Sequence, residues 1–178
     1  MEKSMEKYLS VLKSAKLFHN FSDHEVLPML RCLSSRVASY RKEQALFIAG
    51  DALTQVGIVL SGTLRIQKED MNGNAVIVTK LNSGDMFGEA FVCAGLSRIP
   101  VSVWASACAD VLFIDYMKII TTCPSACSFH SKLLGNMLGI MAQKLILLTQ
   151  KMDIVQKKSI RDKLTAYLET CVNENESR

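Results

Sequence analysis

Residues Ile58 to Glu89 read IVLSGTLRIQKEDMNGNAVIVTKLNSGDMFGE. An apolar run ends at Ser61-Gly62, and a second strand-like run leads into Asp70-Met71-Asn72-Gly73-Asn74. A third run spans Ala75 to Leu81, followed by Ser83-Gly84-Asp85 and then Phe87-Gly88-Glu89. Asn-Gly between two β-type runs is the strongest short hairpin signal, because both residues tolerate positive φ. The stretch therefore reads as strand, turn, strand, hairpin, strand, turn, and then a glycine–acid pair closing on a polar pocket.

The same grammar extends in both directions. From 35 to 115 the chain breaks into the short β-type runs Arg36–Tyr40, Ala45–Ile48, Gln55–Leu60, Thr63–Lys68, Ala75–Leu81, Met86–Phe87, Val101–Ser106 and Asp110–Ile114. Turns fall at Ala49-Gly50-Asp51, Ser61-Gly62, Asn72-Gly73 and Ser83-Gly84-Asp85. Many short strands at this spacing predict a jelly-roll β-barrel, which also removes most exposed strand edges. The expected fold class is α+β, mainly β. Residues 1–34 hold N-terminal helices, one over about 4–17 and one opened by Ser22, with Glu25 at the capping-box spacing. Pro28 is read as lying in the first turns of that second helix, where a missing N–H costs little. Residues 116–158 hold a short helix, Tyr116–Thr122, stopped before Pro124, and a long helix from about Ser125 to Lys158. In the long helix Leu138, Met141, Leu145, Leu148, Met152 and Val155 are spaced 3, 4, 3, 4, 3. That is a heptad seam, and it predicts a parallel homodimer. Residues 159–178 open a further helix, Ser159 to about Leu168, and fray from Asn173 on.

Composition bounds the function. The chain has 178 residues, 49% hydrophobic and 21% charged, with a net charge of +4. This describes a globular protein with one good core and an accessory element. The basic residues are too few and too scattered to form a nucleic-acid surface by themselves. No signal peptide and no apolar run of membrane-spanning length is visible, so the expected location is the cytoplasm. The six cysteines form no C-x-x-C pair and read as reduced, partly buried thiols with no metal site.

Gly50-Asp51, Leu60-Ser61-Gly62, Gly84-Asp85 and Phe87-Gly88-Glu89 together resemble the cyclic-nucleotide-binding domain, in particular that of the Crp/Fnr transcriptional regulators. The resemblance covers about residues 15 to 170. It implies a double-stranded β-helix barrel over 35–115, a dimerisation helix, and a connection at 159–178 to a C-terminal winged helix-turn-helix that this chain lacks. It also implies that Gly88 and Glu89 begin a short helix whose N–H groups face a phosphate while the glutamate bonds a ribose hydroxyl. In nucleotide-binding members an arginine then neutralises the phosphate, in a pattern of the type R-[S/T]-A-x-V. Here the alternation of Val101, Val103 and Ala105 sets Ile99-Pro100-Val101-Ser102-Val103 against that pattern. Ile99 stands where the arginine belongs, and Pro100 replaces the hydroxyl residue. Arg98 is one position early; on a strand that shift turns it to the opposite face, and a loop there would turn it back.

The candidate effector-binding residues are Phe87, Gly88, Glu89, Ala90, Arg98, Val101, Ser102 and Thr149. Glu89 suits a cationic or hydroxylated ligand, or else pairs with Arg98. Thr149 and Gln150 interrupt the apolar helix face and are ligand candidates on that ground. Trp104 reads as a packing anchor of the barrel core or the helices, against a ligand-stacking role, and Met137, Met141 and Met152 as helix packing.

The expected function is the sensory and dimerisation portion of a Crp/Fnr-type bacterial regulator. It would bind a small effector other than cyclic AMP and control DNA only through the missing domain. The alternative is a stand-alone cyclic-nucleotide-binding module with a non-transcriptional output. Catalysis is not expected, and neither is a cofactor. His19, His24 and His130 all lie in helical parts, so a cupin-like metal site cannot be assembled on the strands, and no phosphate-cradling P-loop is present.

Overall fold

The computed structural model describes residues 5–121 and 129–176. Two compact units are present, Met1–Met137 and Leu138–Arg178. In the first, α1 (Leu9–Ser14) gives way to a 3-10 turn, Lys16–Phe18. The single helix expected over 4–17 breaks because Ala15 adopts an extended conformation, φ −69° and ψ 127°. Helix α2 (Asp23–Cys32) starts at Ser22 with the expected capping box, and the Glu25 carboxylate accepts the Ser22 N–H at 2.7 Å. Pro28 is the sixth residue of α2, in its second turn and past the positions whose N–H groups have no helical partner. The N–H it lacks would have met the His24 carbonyl. The helix persists because Val26, Met29 and Leu30 bury its inner face.

The barrel follows as β1 (Arg36–Tyr40), β2 (Ala45–Phe47), β3 (Gln55–Ser61), β4 (Leu64–Glu69), β5 (Ala75–Leu81), β6 (Met86–Phe87), α3 (Glu89–Cys93), β7 (Ser102–Ala105) and β8 (Ala109–Asp115). The strands agree with the alternation to within a residue or so at each end. They form two antiparallel four-stranded sheets in the orders β1-β8-β3-β6 and β2-β7-β4-β5. Between the sheets lie Val59, Leu64, Leu81, Phe87, Val103, Ala105, Val111 and Phe113. Phe113 is the centre: Tyr40, Phe47 and Phe87 meet it edge-to-face at 5.8–6.4 Å, the favoured geometry for aromatic quadrupoles. Gly57 permits this cluster. A Cβ there would lie 2.3 Å from the Phe87 ring, so any side chain displaces Phe87.

In the β4–β5 hairpin, Asp70 organises the turn by accepting the N–H groups of Asn72 and Asn74, each at 2.8 Å. A second polar knot joins the N-terminal segment to the barrel. The Asp110 carboxylate accepts from the Tyr8 hydroxyl at 2.6 Å, from Ser61 at 3.0 Å and from Ser39. Those donors hold its pKa below the usual carboxylate value, and burial raises that of Tyr8.

After β8, Asp115 caps α4 (Tyr116–Ile120) by accepting the Met117 N–H at 2.8 Å. The expected ends at Thr122 and Ser125, with Cys123, Pro124 and Cys127, lie outside the described residues. The long helix, α5, is described from Phe129 to Gln156. Its first turns belong to the first unit. Leu133 and Met137 are buried. Asn136 donates to the carbonyls of Leu17 (2.9 Å) and His19 (2.8 Å), and Lys132 donates to that of Asn20 at 2.9 Å.

In the second unit, Ser159 caps α6 (Ile160–Glu176) through the Asp162 N–H at 3.0 Å. The helix continues past Leu168 and through the 173–176 segment expected to fray, because no glycine or proline intervenes. Among the described residues, no helix is long and apolar enough to cross a membrane. Cys32, Cys93 and Cys108 are free thiols, but exposed rather than partly buried. Cys32 and Cys93 end short surface helices, and Cys108 lies in the β7–β8 turn.

Candidate functional site

The chain turns from β6 into α3 at Gly88, which has φ +85°. A side chain there would be strained, and its Cβ would sit 3.0 Å from Leu53. The turn carries Glu89 inward, where it is only 2% exposed, in the first turn of α3. Ala90 faces outward. Phe87 is a core residue, spent on Gly57 and Phe113. One turn along α3, Cys93 is exposed as a residue, but partial desolvation of its sulfur raises the thiol pKa; a hydrogen bond with Tyr116 opposes this, and the Glu89 charge adds to it.

The segment before β7 is sewn to the loop after β2. Ile99 donates its N–H to the Asp51 carbonyl at 3.0 Å, and its carbonyl accepts from Gly50 at 2.9 Å. Its side chain is 2% exposed. Arg98 is exposed, and its guanidinium donates to the Gly50 carbonyl at 2.7 Å. The Ser102 hydroxyl accepts the Ala49 N–H at 2.9 Å, and Val101 is buried beside it. The expected residues thus fall into groups. Phe87, Gly88, Glu89 and Ala90 share the β6–α3 turn. Arg98, Val101 and Ser102 share the seam with residues 49–51. Thr149 belongs to the second unit and returns its hydroxyl to the Leu145 carbonyl at 3.0 Å. What the site offers chemically is a buried carboxylate, aliphatic walls, and a guanidinium committed to a backbone carbonyl.

Residues 37–123 match the family model described as the cyclic nucleotide-binding domain. That segment is a cyclic nucleotide-binding domain. Solved structures agree on the fold. A cyclic nucleotide-binding domain from Methylobacillus flagellatus is 18% identical with a TM-score of 0.71, over 89% of this chain and 88% of that one. The sensor domain of the transcriptional regulator DNR from Pseudomonas aeruginosa is 17% identical with a TM-score of 0.64, over 89% and 99%. The Thermus thermophilus catabolite activator protein is 19% identical with a TM-score of 0.67 over 79% of this chain, which spans 63% of that longer protein. A sequence search of curated proteins returns no match.

Two features of the cyclic nucleotide-binding domain escaped the sequence reading. Trp104 is not in the barrel core. It alternates with the buried Val103 and Ala105 and is half-buried on the outer face of β7. There Arg65 lies over its ring at 5.9 Å while forming a bidentate pair with Glu43 at 2.6 and 2.9 Å. The Asp110 knot was also missed, since Tyr8 stands 102 positions away. The alternation of Val101, Val103 and Ala105 could have placed Trp104 on the outer face, whereas no local pattern marks the Asp110 knot.

Proposed function

We propose that this chain is the sensory and dimerising portion of a Crp/Fnr-type transcriptional regulator, and that its effector carries no cyclic phosphate. The observation that carries the reading is a cyclic nucleotide-binding domain followed by a helix with a bare heptad seam. Leu138, Leu145, Leu148, Met152 and Val155 are 51–68% exposed. An apolar stripe of that length favours a second copy of the same helix over water. DNA binding, in this reading, is the work of a domain outside these 178 residues. The likeness in fold to a solved regulator sensor domain, over 89% of this chain, supports that reading.

The effector is assigned a hydroxyl or amine for Glu89 rather than an anion. The support is Ile99, buried at the arginine position, and Arg98, turned onto Gly50. A cyclic phosphate there would lose its charge-assisted partner and be desolvated beside a carboxylate, a cost of several kcal/mol. Sedimentation tests the dimer: the unmodified chain should be dimeric or larger at roughly 50 μM. Leu145→Lys with Leu148→Lys should remove the seam contact. A monomeric unmodified chain at that concentration refutes the reading.

A further inference from the structure

The outer face of the β2-β7-β4-β5 sheet takes no part in the site described above. One register row crosses it as Ala45, Trp104, Arg65 and Lys80. Arg65 lies over the Trp104 ring and grips Glu43 of the β1–β2 turn through both terminal guanidinium nitrogens. Its third nitrogen, Nε, donates to Gln67 at 3.1 Å. The Arg65 side chain is 19% exposed and that of Glu43 57%. An ion pair open to water on one side contributes little. The left-handed backbone at Glu43, φ +62°, costs a residue with a side chain about as much. The pair therefore does little for stability.

Charge and hydrogen bonding at this corner are both unbalanced. The Trp104 indole N–H is shielded from solvent and has no acceptor among the described residues, which leaves a donor unused. Lys80, exposed and opposite Arg65, forms no ion pair among the described residues. Arg41 and Lys42, both exposed, precede Glu43 in the turn, where residues 39–44 line an open depression of about 650 Å³. Arg41, Lys42, Arg65 and Lys80 thus share the single carboxylate of Glu43. We propose that this face docks an acidic segment of a partner protein, and that Glu43 holds the place of its leading carboxylate. The Arg65 fork already receives a carboxylate through two parallel N–H bonds, so the geometry a partner needs is preformed. The partner's Asp or Glu displaces Glu43, a neighbouring acid reaches Lys80, and the segment supplies the acceptor that the indole lacks. A phosphodiester chain is the poorer fit, because it needs a longer run of cations.

Trp104 is the single tryptophan of the chain, so its emission reports on this row directly. Titration of the whole chain with hexaglutamate, to about 1 mM in low salt, should give a saturable change in that emission. The change should fade as salt rises past about 0.15 M, and hexalysine should produce none. Arg65→Lys keeps the charge but loses the fork and should weaken binding several-fold. Lys80→Gln should weaken it less. Glu43→Gln removes the competing carboxylate and should tighten binding several-fold, whereas a purely structural role for Glu43 predicts unchanged or weaker binding. Glu43 and Lys80 are both exposed, so these two variants decide the matter if Arg65→Lys disturbs the fold in circular dichroism. No emission change with hexaglutamate, or one indifferent to Glu43 and Lys80, overturns the proposal. A single-stranded oligonucleotide of equal charge that binds as tightly as the peptide overturns the assignment to a carboxylate partner.

Discussion

Strand β3 and the later part of α5 are built from the same aliphatic residue types and dispose of them in opposite ways. Val56, Ile58, Val59 and Leu60 are at most 1% exposed, whereas Leu138, Leu145, Leu148, Met152 and Val155 are 51–68% exposed. The barrel completes its own core. From Leu138 on these seam residues stay exposed, and the proposed second copy would cover them. A stability measurement on the barrel therefore reads intramolecular packing, while one on the helix reads concentration.

The comparison breaks first at the centre of the barrel. Phe113→Ala removes the ring that three other aromatics meet, and should cost about 4 kcal/mol in urea unfolding. Next, one truncation made at two places should separate the regions. Leu112→Ala, fully buried, is expected to cost about 3 kcal/mol. Leu148→Ala in dilute, monomeric solution should change unfolding by less than about 0.5 kcal/mol, and its effect should appear only as the chain associates. Equal costs at the two sites would erase the distinction.

A smaller effect is expected at the polar knot. Tyr8→Phe removes one donor to Asp110 and should cost about 1 kcal/mol. Its pH dependence follows from the sign of the shift. The folded pKa of Asp110 is depressed, so its contribution is present above the unfolded value of about 4 and is lost as pH falls through the lower folded value. Acid titration of stability should thus show a shallower loss below about pH 4 in an Asp110→Asn variant than in the unmodified chain. An identical or steeper loss would mean that Asp110 is not held ionised by Ser39, Tyr8 and Ser61.

Much of this was legible locally. Alternation and turn pairs such as Asn72-Gly73 located the eight strands, because strand burial has period two and tight turns need particular residues. Ser22 and Glu25 announced the start of α2 for a similarly local reason. What the sequence hid was set by distant partners. Gly57 is required only because Phe87, thirty positions later, packs on it. Asp110 looks like any strand-end acid until Tyr8 arrives. The break at Ala15 separates two segments that share one apolar periodicity. At the site, Arg98 and Ile99 precede β7, so strand parity does not govern them, and nothing in the sequence tied Arg98 to the Gly50 carbonyl or set Thr149 in another unit.

The central claim is that this cyclic nucleotide-binding domain no longer receives a cyclic phosphate, and titration calorimetry of the unmodified chain with cyclic AMP and cyclic GMP tests it most directly. With Ile99 buried where an arginine would stand and Arg98 held on Gly50, the account predicts no binding tighter than roughly 10 μM, about 7 kcal/mol. Tighter binding, abolished by Arg98→Ala, would contradict it and make Arg98 the phosphate ligand.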